Sequence, residues 1–141
     1  MEEMLDVERL WRGWSRGPFH EFLQMELIGW DQKKGTAKFR VPFKSKYERS
    51  SPKGGYHGGV LASIIYIAGD FALAINCNRL GFPTIDLRVD YLRIASSDDL
   101  TVYAATIKAG RRIGVANIEV FDINERLCTA GRGTYAIMDV H

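Results

Sequence analysis

The stretch Gly58-Gly59-Val60-Leu61-Ala62-Ser63-Ile64-Ile65-Tyr66-Ile67-Ala68-Gly69-Asp70-Phe71-Ala72-Leu73-Ala74-Ile75 decides the fold. Val60, Leu61, Ile64, Ile65, Ala68, Phe71, Ala72 and Ile75 recur at the spacings of one broad helical stripe, long enough for about five turns at roughly 1.5 Å per residue. His57 and two glycines open the stretch, and Asn76 to Pro83, with Gly81, closes it, so we read a central helix over residues 57–77. A helix this apolar must be wrapped, and the partner the chain offers is β-structure.

Downstream, Thr84–Leu92, Leu100–Lys108, Ile113–Phe121 and Leu127–Met138 are rich in β-branched and aromatic residues and read as strands. The links Ala95–Asp99, Ala109–Arg111 and Asp122–Glu125 are turn-like, which predicts an antiparallel meander of four strands. Upstream, Pro42–Tyr56 is a polar loop containing Pro52 and Gly54-Gly55. Before it, Met25–Trp30 and the alternating Thr36–Val41 flank the hairpin turn Asp31–Gly35. Val7–Phe22 mixes aromatics and charges around Gly17-Pro18, predicting a short amphipathic helix, a break and a second helical turn near His20–Leu23, a lid or edge cover. The expected architecture is α+β: one domain over 1–141, with an N-terminal helical segment (1–24) and one long helix inside a curved antiparallel sheet of about six strands.

Composition narrows the function. With 19 basic and 17 acidic residues the net charge is +2, too even for the broad footprint of a nucleic-acid binder. Uninterrupted apolar runs stop well short of the roughly 18 to 20 residues of a membrane helix, and Met1-Glu2-Glu3 lacks the basic start of a signal peptide, so a cytoplasmic protein is expected. Cys77 and Cys128 are far apart with no CxxC, as reduced thiols rather than a disulfide framework or zinc site. His20, His57 and His141 show no metal-ligand spacing, so no metal is expected.

The chemistry gathers on the helix. Its start presents unpaired N–H groups and the positive end of the helix dipole, and Gly58 and Gly59 let an oxygen approach the backbone, as an attacked thioester carbonyl would. The alternative is a tight turn with His57 packed nearby. Gly59, Ser63, Tyr66 and Asp70 are spaced to share one narrow face, a polar seam on a helix suited to burial. A carboxylate there is either a catalytic base or a structural acceptor; Tyr66 either positions substrate or packs; Ser63 has no base beside it in the sequence and is not read as a nucleophile. Lys108, Gly110, Arg111 and Arg112 form a cationic turn suited to phosphate, or an ordinary solvated hairpin; Arg88 and Arg93 are weaker candidates of the same kind.

Four segments in order resemble the phenylacetate-degradation (PaaI-like) hotdog-fold thioesterases: His57–Ser63, Asp86–Arg93, Gly110–Arg112 and Ala130–Tyr135, within a span from about Phe39 to Ile137. The resemblance implies an acyl-CoA thioesterase for a medium-chain or aryl acyl group, without a cofactor beyond the CoA of the substrate. It implies a homodimer with active sites at the interface, and a homotetramer is expected from it. It assigns the oxyanion donors to Gly58 or Gly59, a water-positioning hydroxyl to Thr84, a carboxylate from the partner subunit's helix, and CoA phosphates to the Lys108–Arg112 turn. Two positions depart. Tyr66 stands where the family has Asp or Glu, leaving Asp70, one turn on, as the candidate base. Ser51 stands where many members have an Asn that fixes the loop before the helix. The competing expectation is a noncatalytic acyl-CoA or acyl-binding protein. A hotdog dehydratase would need a histidine on the meander, and the sequence has none there.

Overall fold

The computed structural model describes residues 6–50, 52–79 and 81–137. The chain runs α1 (Val7–Trp14), α2 (Pro18–Leu23), β1 (Glu26–Asp31), β2 (Thr36–Val41), a short 3-10 turn at Ser45–Tyr47, α3 (Gly58–Cys77), β3 (Thr84–Tyr91), β4 (Leu100–Ala109), β5 (Ile113–Phe121) and β6 (Leu127–Ala136). The strands form one antiparallel six-stranded sheet in the order β1-β2-β4-β5-β6-β3, curled around α3. This is the hotdog fold: one long helix held in the concavity of an antiparallel sheet.

Burial explains why α3 holds. Ile64, Ile65, Phe71, Leu73 and Ile75 are completely enclosed, and each such side chain contributes about 1.5–3 kcal/mol relative to exposure. By length and composition α3 could cross a bilayer, a property hidden in the sequence by its interrupted apolar runs, but 67% of its most apolar 18-residue window is buried inside the protein. Close packing needs small residues on the sheet: a side chain at Gly131 would come within 2.7 Å of Ile65. The helix side not covered by the sheet is closed by α1, where Trp11 and Trp14 pack on Phe71 with ring centroids 4.9 and 5.2 Å apart. Asp6 caps α1 through Arg9 N–H, and Pro18 starts α2. Trp11 and Phe71 are therefore core, while Phe19 and Phe22 stack at the surface.

The expected four-strand meander is corrected. Only β4, β5 and β6 form one; β3 crosses to the far edge and pairs with β6, while β4 pairs with β2. The reason lies in the connection between β3 and β4, which is stapled to other loops instead of turning back as a hairpin. Ala95 O accepts from Tyr56 N (2.9 Å), Asp98 O from Tyr56 Oη (2.8 Å), and Asp99 from Phe43 N (2.7 Å).

Candidate active site

The N-terminus of α3 is held by a pre-organised loop. His57 N donates to Tyr47 O (2.7 Å), Arg49 N to Gly55 O (3.0 Å), and Gly55 N to Ser97 Oγ (3.1 Å). Gly55 has φ +85°, and an added Cβ would lie 2.6 Å from Ala95 O, so glycine is required there on both counts. His57 is the N-cap of α3: its Nδ1 accepts from Gly59 N at 2.9 Å. That bond divides the two glycine amides. Gly59 N–H is already engaged, and Val60 N and Leu61 N both reach His57 O, whereas Gly58 N–H has no acceptor among the described residues. Tyr91 closes over the same residue, its hydroxyl donating to Gly58 O at 2.7 Å. Beside Gly58 opens a cavity of about 430 Å³, walled by Leu61, Tyr91, Leu92 and Ile94 with Arg49 and Arg93 among its lining.

The polar seam of α3 descends from solvent into the core. Gly59 is exposed, Ser63 and Tyr66 are half-buried, and Asp70 is only 4% exposed. Ser63 Oγ donates back to Gly59 O (2.8 Å), which occupies its proton. Tyr66 O accepts from Tyr135 Oη at 3.3 Å. Burial pushes Asp70 up to about 7, and its Oδ1 is buried with no hydrogen-bond partner among the described residues. Tyr135 adjoins it: burial raises that phenol, and the charge of Asp70 raises it further. Asp70 stands twelve residues beyond Gly58, about 18 Å along the helix, so within one chain the two are remote.

Most of the remaining candidates lie at the Asp70 end. Thr84 lies opposite Tyr135 in the β3–β6 register, at the Asp70 end. The turn carrying Lys108, Gly110, Arg111 and Arg112 lies at that end too, since Gly114 just beyond it abuts Leu73. Its cations are exposed, and none of their side chains is paired with a carboxylate among the described residues. Arg88 is elsewhere. It sits opposite Arg132 on the convex face, bonds Asp90 at 3.3 Å, and helps line a groove of about 670 Å³ on the side of the sheet away from α3. Ser51 lies outside the described residues. Sequence reasoning missed Tyr91, Tyr135 and Arg49; the first two are 33 and 69 residues from the backbone groups they reach, and no local pattern announces them. Among the described residues no three His, Cys, Asp or Glu side chains cluster as metal ligands.

Comparisons with known proteins point to one superfamily. The sequence model of the thioesterase superfamily matches residues 53–129. A relative from Halobacterium salinarum is 32% identical over 117 residues, 76% of this chain and 77% of that one. The medium/long-chain acyl-CoA thioesterase of Escherichia coli is 26% identical over 138 residues, covering 85% of each chain. A crystal structure from the same superfamily superposes with a TM-score of 0.84 at 30% identity, covering 94% of this chain and 98% of its own.

Proposed function

Because this chain belongs to the thioesterase superfamily, we propose that it is an acyl-CoA thioesterase of the PaaI-like kind, hydrolysing a medium-chain or aryl acyl-CoA to free acid and CoA. The observation that carries the reading is the unengaged Gly58 amide, at the positive end of a 20-residue helix and beside an apolar cavity. A thioester carbonyl seated there accepts the Gly58 N–H. Water attacks the carbonyl carbon and gives up a proton to a carboxylate; the oxyanion re-forms C=O, the C–S bond breaks, and the thiolate leaves with a proton.

The carboxylate comes from a second copy. β3 is the sheet edge, paired only with β6 among the described residues, and an unpaired edge invites its own copy in a two-fold, antiparallel arrangement. Pairing centred on the middle of β3 sets Tyr91, and Gly58 beneath it, beside Thr84 of the partner subunit. Asp70 of the partner subunit then serves as base or water aligner, Thr84 and Tyr66 help fix the water, and the Lys108–Arg112 turn meets CoA phosphates. His57 keeps the helix start in shape through Gly59, and Ser63 lies one turn in. Exposed Tyr103 and Ile107 around the convex groove, with Arg88 and Arg132 facing Asp90 and Glu119, suit a second dimer and hence a homotetramer.

Thiol release across short, medium, long and aryl CoA esters tests the reading, with turnover expected on medium-chain or aryl esters. The specific support for the other reading, a noncatalytic acyl-CoA binder, is Tyr66 at the usual carboxylate position together with the burial of Asp70. A thermal shift with CoA and no thiol release from any ester would favour that binder and overturn hydrolysis.

A further inference from the structure

The cavity beside Gly58 contains an electrostatic asymmetry that hydrolysis alone does not require. Its walls are largely apolar, with Tyr91, Leu92 and Ile94 each more than half exposed to it or to solvent, and among the described residues its charged lining is Arg49 and Arg93. Neither guanidinium is paired with a carboxylate among the described residues, although Glu48 is adjacent in sequence to Arg49. Glu48 is committed elsewhere: it accepts from Lys53 N and from Ser97 Oγ. The backbone that carries each arginine is fixed. Arg49 N–H is bonded to Gly55 O and Arg93 N–H to Cys128 O (3.1 Å).

We propose that this cavity is a subsite for an anionic group carried on an apolar arm, with Arg49 and Arg93 as the residues that select for it. The proposal rests on the reading of Gly58 as the thioester's seat, and it adds a charge requirement to whatever enters alongside. Two guanidiniums without counter-charges, over apolar walls, hold a phosphate or carboxylate by charge-assisted and bidentate hydrogen bonds, and a neutral group gains nothing from them. The anion has two chemical sources: the phosphates of CoA, or a terminal carboxylate on the acyl chain.

Binding, measured by calorimetry, separates these sources and stands apart from turnover. The probes are CoA, pantetheine, a pantetheine S-alkyl thioether and its ω-carboxylate counterpart, applied to the wild type and to the double variant Arg49→Gln/Arg93→Gln. If phosphate is the anion, CoA binds pantetheine's site at least about tenfold tighter than pantetheine itself, and the double variant cuts that preference at least about tenfold, to what the Lys108–Arg112 turn supplies. If carboxylate is the anion, the ω-carboxylate thioether exceeds its alkyl counterpart by at least about tenfold, and the variant erases that instead. Either result supports the subsite. Absence of both preferences, or both undiminished in the double variant, overturns it. A protein that shows the charge preference but releases no thiol would sink the thioesterase reading alone, and one that hydrolyses without the preference would sink the subsite alone.

Discussion

The two ends of α3 differ in almost every physical respect. At Gly58 the backbone is open to solvent, an N–H is unspent, the walls are apolar, and the nearby charges are the cations Arg49 and Arg93. Around Asp70 the surroundings are closed, a carboxylate oxygen is without a hydrogen-bond partner among the described residues, and its charge is felt by Tyr135, whose hydroxyl donates to the Tyr66 carbonyl. One end can polarise a carbonyl but holds no carboxylate; the other holds a carboxylate but no unspent helix-start amide. About 18 Å of helix separates them. The lesson is that the proposed hydrolysis needs both ends at once, and that an antiparallel pair of chains is the simplest arrangement that would join them.

The largest expected effect comes from deleting the free Gly58 amide. Gly58 is the first helical residue, His57 before it is extended (φ −63°, ψ 135°), and both conditions suit proline. Gly58→Pro therefore removes one N–H while the helix persists, and kcat should fall by about 10²–10³-fold with the circular dichroism spectrum unchanged. A turnover within a few-fold of wild type would move the oxyanion site off Gly58. At the other end, Asp70→Asn should lower kcat by about 10²-fold, and the wild-type kcat/KM should rise with pH through about 7 as the carboxyl ionises. A flat profile would remove Asp70 from the proton transfer.

Mixing the two dead proteins tests whether the ends meet between chains. After subunit exchange, half the dimers pair a Gly58→Pro chain with an Asp70→Asn chain, and one of the two sites in each combines an intact Gly58 with an intact Asp70. About a quarter of wild-type activity should return. No recovery in exchanged samples would confine both functions to one chain, where the helix keeps them apart.

Much of this comparison was legible before any coordinates, and its limits have physical causes. The stripe Leu61, Ile64, Ile65, Ala68, Phe71 and Ile75 announces α3 because burial on a helix has a period, and the alternation in Thr36–Val41 announces β2 for the same kind of reason. The seam Gly59–Ser63–Tyr66–Asp70 was likewise visible as a face. Periodicity says which residues share a face but not what lies over it, so the descent from exposed Gly59 to enclosed Asp70 could not be read. Strand order is illegible for a related reason: β3 leaves β4 because Tyr56 and Phe43 hold the connecting loop, and those bonds join residues about forty to sixty positions apart. The commitment of Gly59 N–H to His57 was hidden as well, since histidine is not among the usual capping residues.

Asp70 also makes a prediction about stability that does not depend on catalysis. Unfolded, its carboxyl ionises near 4; folded, burial holds it near 7. Between these values the folded chain keeps a proton that the unfolded chain has lost. This contribution is therefore fully present below about pH 4 and is lost as pH rises to about 7, by up to about 4 kcal/mol. Asp70→Asn cannot ionise, so it should melt above the wild type at pH 8 and close to it at pH 4.5. Equal melting at both pH values would mean that water or a second chain already satisfies the carboxylate.

The smallest effect belongs to His57, and it decides whether that side chain is structural or chemical. Removing the cap in His57→Ala should cost about 1 kcal/mol, a drop of roughly 3–4 °C in melting temperature for a chain of this size. If capping is its role, kcat should change by less than about tenfold, because Gly58 N–H remains and Gly59 N–H is released beside it. A fall of about 10²-fold or more at unchanged stability would instead place the imidazole in direct contact with the reacting thioester, and would give the Gly58 end a titratable group of its own.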